Sequence, residues 1–377
     1  MDGLVAFDPA ITLQDRWFAP PPADARRSLE PHRGRQGLVC FCSNDYLGLR
    51  DHPQVVEAAA RLLHARGVGS GGSRLISGDH PLWHRLADEL ACWLGFEAGL
   101  TVGSGMLLNI GLIQALADRH TALFCDRLNH ASLIDGARLS GARHHRFPHR
   151  DYDALEARLA RCRQPRRLIV SDGLFSMDGD CADIRRLIEL AERHDALLLI
   201  DDAHGIGTMG GDGRGVTTGA GGHPRLVLVG TLGKAFGGYG AFVLARRALI
   251  DGLIQRMRTL IYSTGAPPLL AAAGLAALAR IREGHERARL AANMELFARL
   301  RGVAVESPII PWSIGSDRAA LEAADILRRH GMEVVAIRPP TVPRGTARLR
   351  ITRTARHTPE QIAALSRALD ALRPAAG

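Results

Sequence analysis

The middle of the chain alternates short apolar runs with longer stretches in which apolar residues recur every three or four positions. RLIVSD (167–172) is one such run, CADIRRLIELAERH (181–194) has helical spacing, and ALLLID (196–201) is a second run that ends in acid. This order predicts a β-α-β unit with a right-handed parallel crossover. Runs of the same kind stand at TALFCD (121–126), RLVLVGT (225–231) and GAFVLA (240–245), with helical patterns at PLWHRLADELACWLG (81–95) and GMLLNIGLIQALADR (105–119). The implied class is α/β, a mostly parallel sheet covered by helices on both faces. Beyond an Ala-rich helix starting near Pro267, the strands PIIPWSIG, MEVVAIR and ARLRIT alternate with helices at 317–330 and 358–373, which reads as a separate α+β unit. The expected organisation is an N-terminal segment over 1–45, a large domain over 46–265 and a smaller C-terminal domain over 266–377.

One stretch competes with this picture. Residues 259–279 carry no charge, and their length meets the need of a membrane span. Pro267 and Pro268 interrupt it, however, and much of the rest is Ala, Gly, Ser and Thr, so a loop leading into a buried helix is the better reading. The N-terminal MDGLVAFDPA has neither a basic nor an apolar signal region, which predicts a soluble, cytoplasmic protein.

Composition removes further classes. The chain has 377 residues, 46% hydrophobic and 23% charged, which excludes disordered and fibrous types. Its 6 cysteines are too few for a disulfide scaffold. Cys40 and Cys42, two apart, read as reduced, buried small hydrophobes on one strand face, not as metal ligands, and no metal is expected. The net charge of +9 raises the question of nucleic acid, but basic and acidic residues are interspersed and no recognition motif appears. A basic surface suits an anionic small molecule such as coenzyme A better.

Of the 48 basic residues, Lys234 is the only lysine; every other is arginine. A codon bias replaces lysine wherever positive charge suffices, so the exception points to a place that needs an amine. Arginine stays protonated and is a poor nucleophile, whereas an amine can lose its proton and form an imine. Lys234 follows RLVLVG, and Asp201, Asp202 and His204 follow ALLLI, so both clusters lie at carboxyl ends of strands, where open α/β sheets bind ligands. Ser171, Asp172 and Ser176 follow RLIV in the same way. An acid and an amine at neighbouring strand ends are the requirements of a pyridoxal phosphate site. The amine holds the aldehyde, and the acid keeps the pyridine nitrogen protonated. GSGM (103–106), opening a helix, offers backbone N–H groups to a phosphate. Taken singly, Asp201 is also readable as a loop acid and the glycines as turns. GVGSGG (67–72) matches a dinucleotide glycine spacing but follows a helical pattern rather than a strand, which argues against a nicotinamide site.

The motifs SNDYLGL (43–49), GSGGSR (69–74), FSMDGD (175–180), DDAHG (201–205), TLGKAFG (231–237) and TARLRIT (346–352) together resemble the α-oxoamine synthases. These are fold-type I pyridoxal-phosphate enzymes that condense an amino acid with an acyl thioester and release carbon dioxide. The resemblance runs from about residue 40 to the C-terminus. RPPTVPRGTARLR (338–350) is most similar to the branch that joins L-alanine to a pimeloyl thioester on the route to biotin. A glycine-using synthase such as glycine C-acetyltransferase would share every cofactor residue, and a non-enzymatic basic binding protein is the remote alternative.

The resemblance implies a role for each matching position. Lys234 would carry the cofactor and then act as the base at Cα. Asp201 would pair with the pyridine nitrogen, His204 would hydrogen-bond the phenolic oxygen, and Ser176 would contact the ring. His130 would stack on the ring and polarise the acyl carbonyl. Gly105, Met106 and Thr231 would hold the phosphate. Arg350, helped by Asn44, would bind the substrate carboxylate, and Thr341 would line the acyl site. An N-terminal arginine that contacts substrate falls to Arg27, with Arg26 beside it. The family often has Glu where Asp172 stands and an aromatic where Met106 stands. Family members share their site between subunits, so a homodimer is implied.

Overall fold

The computed structural model describes residues 37–372. Its main sheet has seven strands in the order β2-β8-β7-β6-β5-β3-β4. These are β2 (Ala98–Val102), β3 (Thr121–Asp126), β4 (Arg143–Phe147), β5 (Arg166–Asp172), β6 (Leu197–Asp201), β7 (Leu226–Thr231) and β8 (Ala241–Ala245). The pairs from β4 to β7 are parallel. GAFVLA corrects the sequence reading in one respect: as β8 it runs antiparallel to both β7 and β2. The reason is local, because only nine residues separate β7 from β8, enough for a tight return and too few for a crossover helix.

Both faces of this sheet are buried, which explains why its strands read as continuous apolar runs rather than alternating ones. Leu198, Ile200, Ile169 and Leu228 point to one side, where the helices Pro81–Leu94, Ile184–Arg193 and Pro268–Glu283 supply Trp83, Leu187 and Ala277. Leu199, Leu168, Val227 and Val229 point to the other, against Leu108, Leu133 and Ile250 of the helices Gly105–Leu116, Ala131–Leu139 and Arg247–Arg256. Each fully buried aliphatic side chain contributes about 2 kcal/mol by leaving water, so two such layers carry the stability of this region.

The uncharged stretch after residue 259 resolves as expected into a loop and the helix Pro268–Glu283, which packs against the helix Pro53–Arg66. Among the described residues no helix is long and apolar enough to cross a membrane. GVGSGG does follow that helix Pro53–Arg66 rather than a strand.

The C-terminal strands form a three-stranded antiparallel sheet of β11 (Val335–Ile337), β12 (Ala347–Thr352) and β9 (Ile309–Gly315). MEVVAIR is not one strand but two: β10 (Met332–Glu333) leaves that sheet to pair in parallel with β1 (Val39–Cys40). Phe41 is buried in the same cluster as Leu349 and Ile351, and Thr352 N–H donates to Phe41 O at 2.7 Å. The residues just before the large sheet are thereby woven into the last third of the chain. Cys40 and Cys42 are half-buried rather than buried, with their sulfurs 3.7 Å apart, because the chain bends directly after β1.

Candidate active site

Three strand ends converge on one cavity. Register pairs Asp172 of β5 with Asp201 of β6, and β7 ends at Thr231, three residues before Lys234. The loop carrying Lys234 is closed by Leu232 N–H to Gly240 O at 2.9 Å and by Gly238 N–H to Leu232 O at 2.7 Å. The cavity encloses about 630 Å³ counted to its open mouth, within the range of small-molecule sites. Its wall includes Gly105, Met106, Asn109, His130, Ser132, Asp172, Ser176, Asp201, His204, Thr231 and Lys234. The structure thus gathers around one space all eight residues that the sequence assigned to the cofactor.

Burial and charge set the protonation states there. Removal from water drops the Lys234 amine to about 8, against the pull of Asp201 and Asp172 and helped by Arg350. An amine poised so near neutrality supplies the free base that imine formation needs. Asp201 is buried, its Oδ1 accepting from Ala203 N–H at 3.0 Å and its Oδ2 from Asn109 Nδ2 at 2.6 Å. Asp172 accepts from His130 N–H at 2.7 Å; burial, then the nearby Asp201 charge, push its carboxyl well above the usual range. Burial, with Lys234 and Arg350 adding to it, holds His204 well below its ordinary value, so it is neutral. Tyr46 Oη lies 2.7 Å from His204 Nδ1. With the Tyr46 hydroxyl donating to Nδ1, Nε2–H of His204 remains a donor.

The helix Gly105–Leu116 opens on the cavity. Its N-cap Ser104 accepts from Leu107 N–H at 3.3 Å, and among the described residues the N–H groups of Gly105 and Met106 have no partner. Two such N–H groups at a helix start suit an anion. An amine, a buried acid on the next strand and this anion seat fit pyridoxal phosphate, so the donor set agrees with the cofactor. The Thr231 hydroxyl is already engaged, donating to Gly240 O at 3.0 Å and accepting from Gly233 N–H at 3.1 Å. In this state it shapes the lysine loop.

Arg350 reaches the site from β12. Its Nε donates to Ser176 O at 2.5 Å and its Nη2 to Asn44 Oδ1 at 3.1 Å. Asn44 and Arg350 are therefore brought together as the sequence implied, although 306 residues apart. Thr341 is not in the cavity wall; it is exposed in the turn after β11, its N–H donating to Arg338 O at 3.1 Å. Arg27 and Arg26 lie outside the described residues.

Three residues of the site escaped the sequence reading. Asn109 is the one polar side chain on the buried face of GMLLNIGLIQAL, and that contrast is a usable signal. Tyr46 lies inside the SNDYLGL motif and Ser132 stands two residues after His130, but nothing in their spacing reveals their partners.

Residues 36–369 match the aminotransferase class I and II family. The chain is 46% identical over 383 residues to 8-amino-7-oxononanoate synthase of Methylococcus capsulatus, covering 97% of this chain and 98% of the relative. A solved structure described as SPT with PLP internal aldimine superposes with a TM-score of 0.84 at 28% identity, over 89% of this chain and 87% of the other. The 8-amino-7-oxononanoate synthase of Francisella tularensis superposes with a TM-score of 0.76 at 27% identity, over 89% of this chain and 96% of that one.

Proposed function

The chain belongs to the class I and II aminotransferase family and, within it, to the 8-amino-7-oxononanoate synthases, and on that premise we propose that its cavity condenses L-alanine with a pimeloyl thioester. The products are 8-amino-7-oxononanoate, carbon dioxide and free thiol. One observation carries this reading: the chain's only lysine shares a cavity wall with a buried acid on the neighbouring strand.

Pyridoxal phosphate supplies, when bound, an electron sink for the pair left at the amino acid's Cα. The protein's residues do the rest. Lys234 Nζ anchors the cofactor and, once displaced, takes the Cα proton, for which a value of about 8 is well placed. Asp201 holds a proton on the pyridine nitrogen by presenting an acceptor charge. Nε2–H of neutral His204 donates to the phenolic oxygen. Arg350 binds the substrate carboxylate, with Asn44 fixing its guanidinium. His130, in the cavity wall with its Nδ1 edge turned to Ser132, donates to the thioester carbonyl. Holding both substrates in one orientation is the main contribution of the fold.

A homodimer is part of the proposal. Val68, Ile76 and Tyr262 are 78%, 85% and 71% exposed, and Leu75 and Met106 join them in an apolar face. The segments touch through the Ser73–Thr264 bridge and Thr259 Oγ1 donating to Leu107 O at 2.9 Å. Met106 also lines the cavity, so a second copy seated there completes the site. The cytoplasm is the compartment assigned, since all six cysteines are free thiols.

The test reduces the loaded protein with borohydride, maps the modified peptide and assays product from alanine with pimeloyl-CoA and with the pimeloyl carrier protein. The label should sit on Lys234, and Lys234→Arg should lose both label and turnover. Faster turnover of glycine with acetyl-CoA would overturn the substrate assignment, and protein that stays colourless with added cofactor would overturn the enzyme.

A further inference from the structure

We propose that Asn109 and Ser132 are positioning residues that hold His130 in its neutral Nε2–H form through a relay starting at Asp201. Asn109 Nδ2 has two hydrogens and spends both, on Asp201 Oδ2 at 2.6 Å and on Ser132 Oγ at 2.9 Å. Turning the amide over would set its oxygen against the Asp201 carboxylate, acceptor facing acceptor, so the ionised acid fixes its orientation. Ser132 Oγ already accepts from Asn109, which leaves its own hydrogen for His130 Nδ1, 2.7 Å away. The same Nδ1 accepts from Ser132 N–H at 3.2 Å. Two donors therefore aim at Nδ1, and the ring proton must sit on Nε2.

Protonating Nδ1 would set that hydrogen against the fixed Ser132 N–H and force the Ser132 hydroxyl to give up its donation. Asn109 and Ser132 are 1% and 0% exposed, so water does not substitute for either. The charged groups facing His130 are Asp201 and Asp135, which favour a cation, and Lys234, which opposes one; burial opposes it most. The relay adds to that opposition. Its consequence for the reaction is that His130 donates a hydrogen bond to the acyl carbonyl without carrying a full charge into the site. This inference deepens the proposed function and rests on it only for the contact between His130 and the acyl group.

The experiment labels the full-length protein with ¹⁵N-histidine, free of cofactor and loaded, and follows the His130 ring nitrogens from about pH 5 to about pH 9, the range in which histidine ordinarily changes charge. His130→Ala assigns the signals. The wild-type ring should stay in the Nε2–H form across that range. Ser132→Ala and Asn109→Ala should each give mixed tautomers and titration at higher pH. The effect of Asn109→Ala on the His130 tautomer should vanish in a Ser132→Ala background, since it reaches the ring through Ser132. In the loaded enzyme each variant should lose about tenfold in kcat with KM for the amino acid within about twofold. An unchanged tautomer in Ser132→Ala, or additive effects in the double variant, would overturn the relay. Failure to form product from alanine and pimeloyl thioester while the tautomers behave as stated would count against the function and leave the relay standing.

Discussion

His149 sits between two carboxylates, its Nδ1 3.0 Å from Asp126 Oδ1 and its Nε2 2.9 Å from Asp180 Oδ2. Burial alone would lower it, but the two hydrogen-bonded acids override that and raise it to about 9. The rise from an ordinary 6.5 corresponds to about 3 kcal/mol of stability. That contribution is full below about pH 6.5 and is lost as pH climbs through about 9, because the folded state alone still holds the proton in between. Denaturant unfolding should therefore show His149→Gln about 3 kcal/mol less stable at pH 6, with the gap closed above about pH 10. At the substrate end, Arg350→Lys should raise KM for alanine about tenfold or more in steady-state assays, since an ammonium cannot keep the planar contacts to Ser176 O and Asn44 while also holding a carboxylate. Individual site residues were legible in the sequence when their type was exceptional for the place: one lysine in the whole chain, acids directly after apolar runs. Tyr46 and Ser132 were not, because a hydroxyl takes its meaning from its partner, and the partner of Tyr46 is 158 residues away.

The turn after β6 shows how an element is built around one buried group. Asp202 is fully buried; its Oδ2 accepts from Val216 N–H at 2.8 Å while its Oδ1 has no hydrogen-bond partner among the described residues. Gly173, Gly205 and Gly215 make room for it: a Cβ on them would lie 2.9, 2.0 and 2.0 Å from its oxygens. Burial drives this carboxyl well above its ordinary value, so the folded state keeps a proton that the unfolded chain releases as pH rises past about 4. Asp202→Asn, which needs no such proton, should gain about 1–2 kcal/mol at pH 7 in thermal or denaturant unfolding, with the gain fading as pH falls toward 4. Gly205→Ala should lose about 3 kcal/mol in the same assay, because its methyl meets the Asp202 carboxylate and not a yielding chain end. Buried strands announce themselves by apolar runs, and those of the main sheet did so. β4 did not: RHHRF is an edge strand whose basic side chains guard its open side, so its sequence looks like a loop.

At the scale of the whole molecule, Ile76 is the most exposed large hydrophobic side chain among the described residues, and a second copy would cover the apolar face around it. Ile76→Glu should turn a dimer into a monomer in sedimentation, and turnover should fall with it because the Met106 side of the cavity is left open. That face was hidden in the sequence, where GGSRLISGDH reads as a polar, glycine-rich loop. The α/β architecture, a sheet with helices on both faces, was open to reading because each helix and strand is a pattern local in sequence, whereas the split of MEVVAIR depends on β1, far along the chain.

The pairing of β1 with β10 has a consequence for biosynthesis. Asn44 and Tyr46 leave the ribosome early, yet Ala355 N–H holds Tyr46 O at 2.7 Å, and Arg350 completes their side of the cavity. A nascent chain can collapse its central layers while still tethered, but its catalytic chamber cannot close until the segment carrying Arg350 and Ala355 has also been translated.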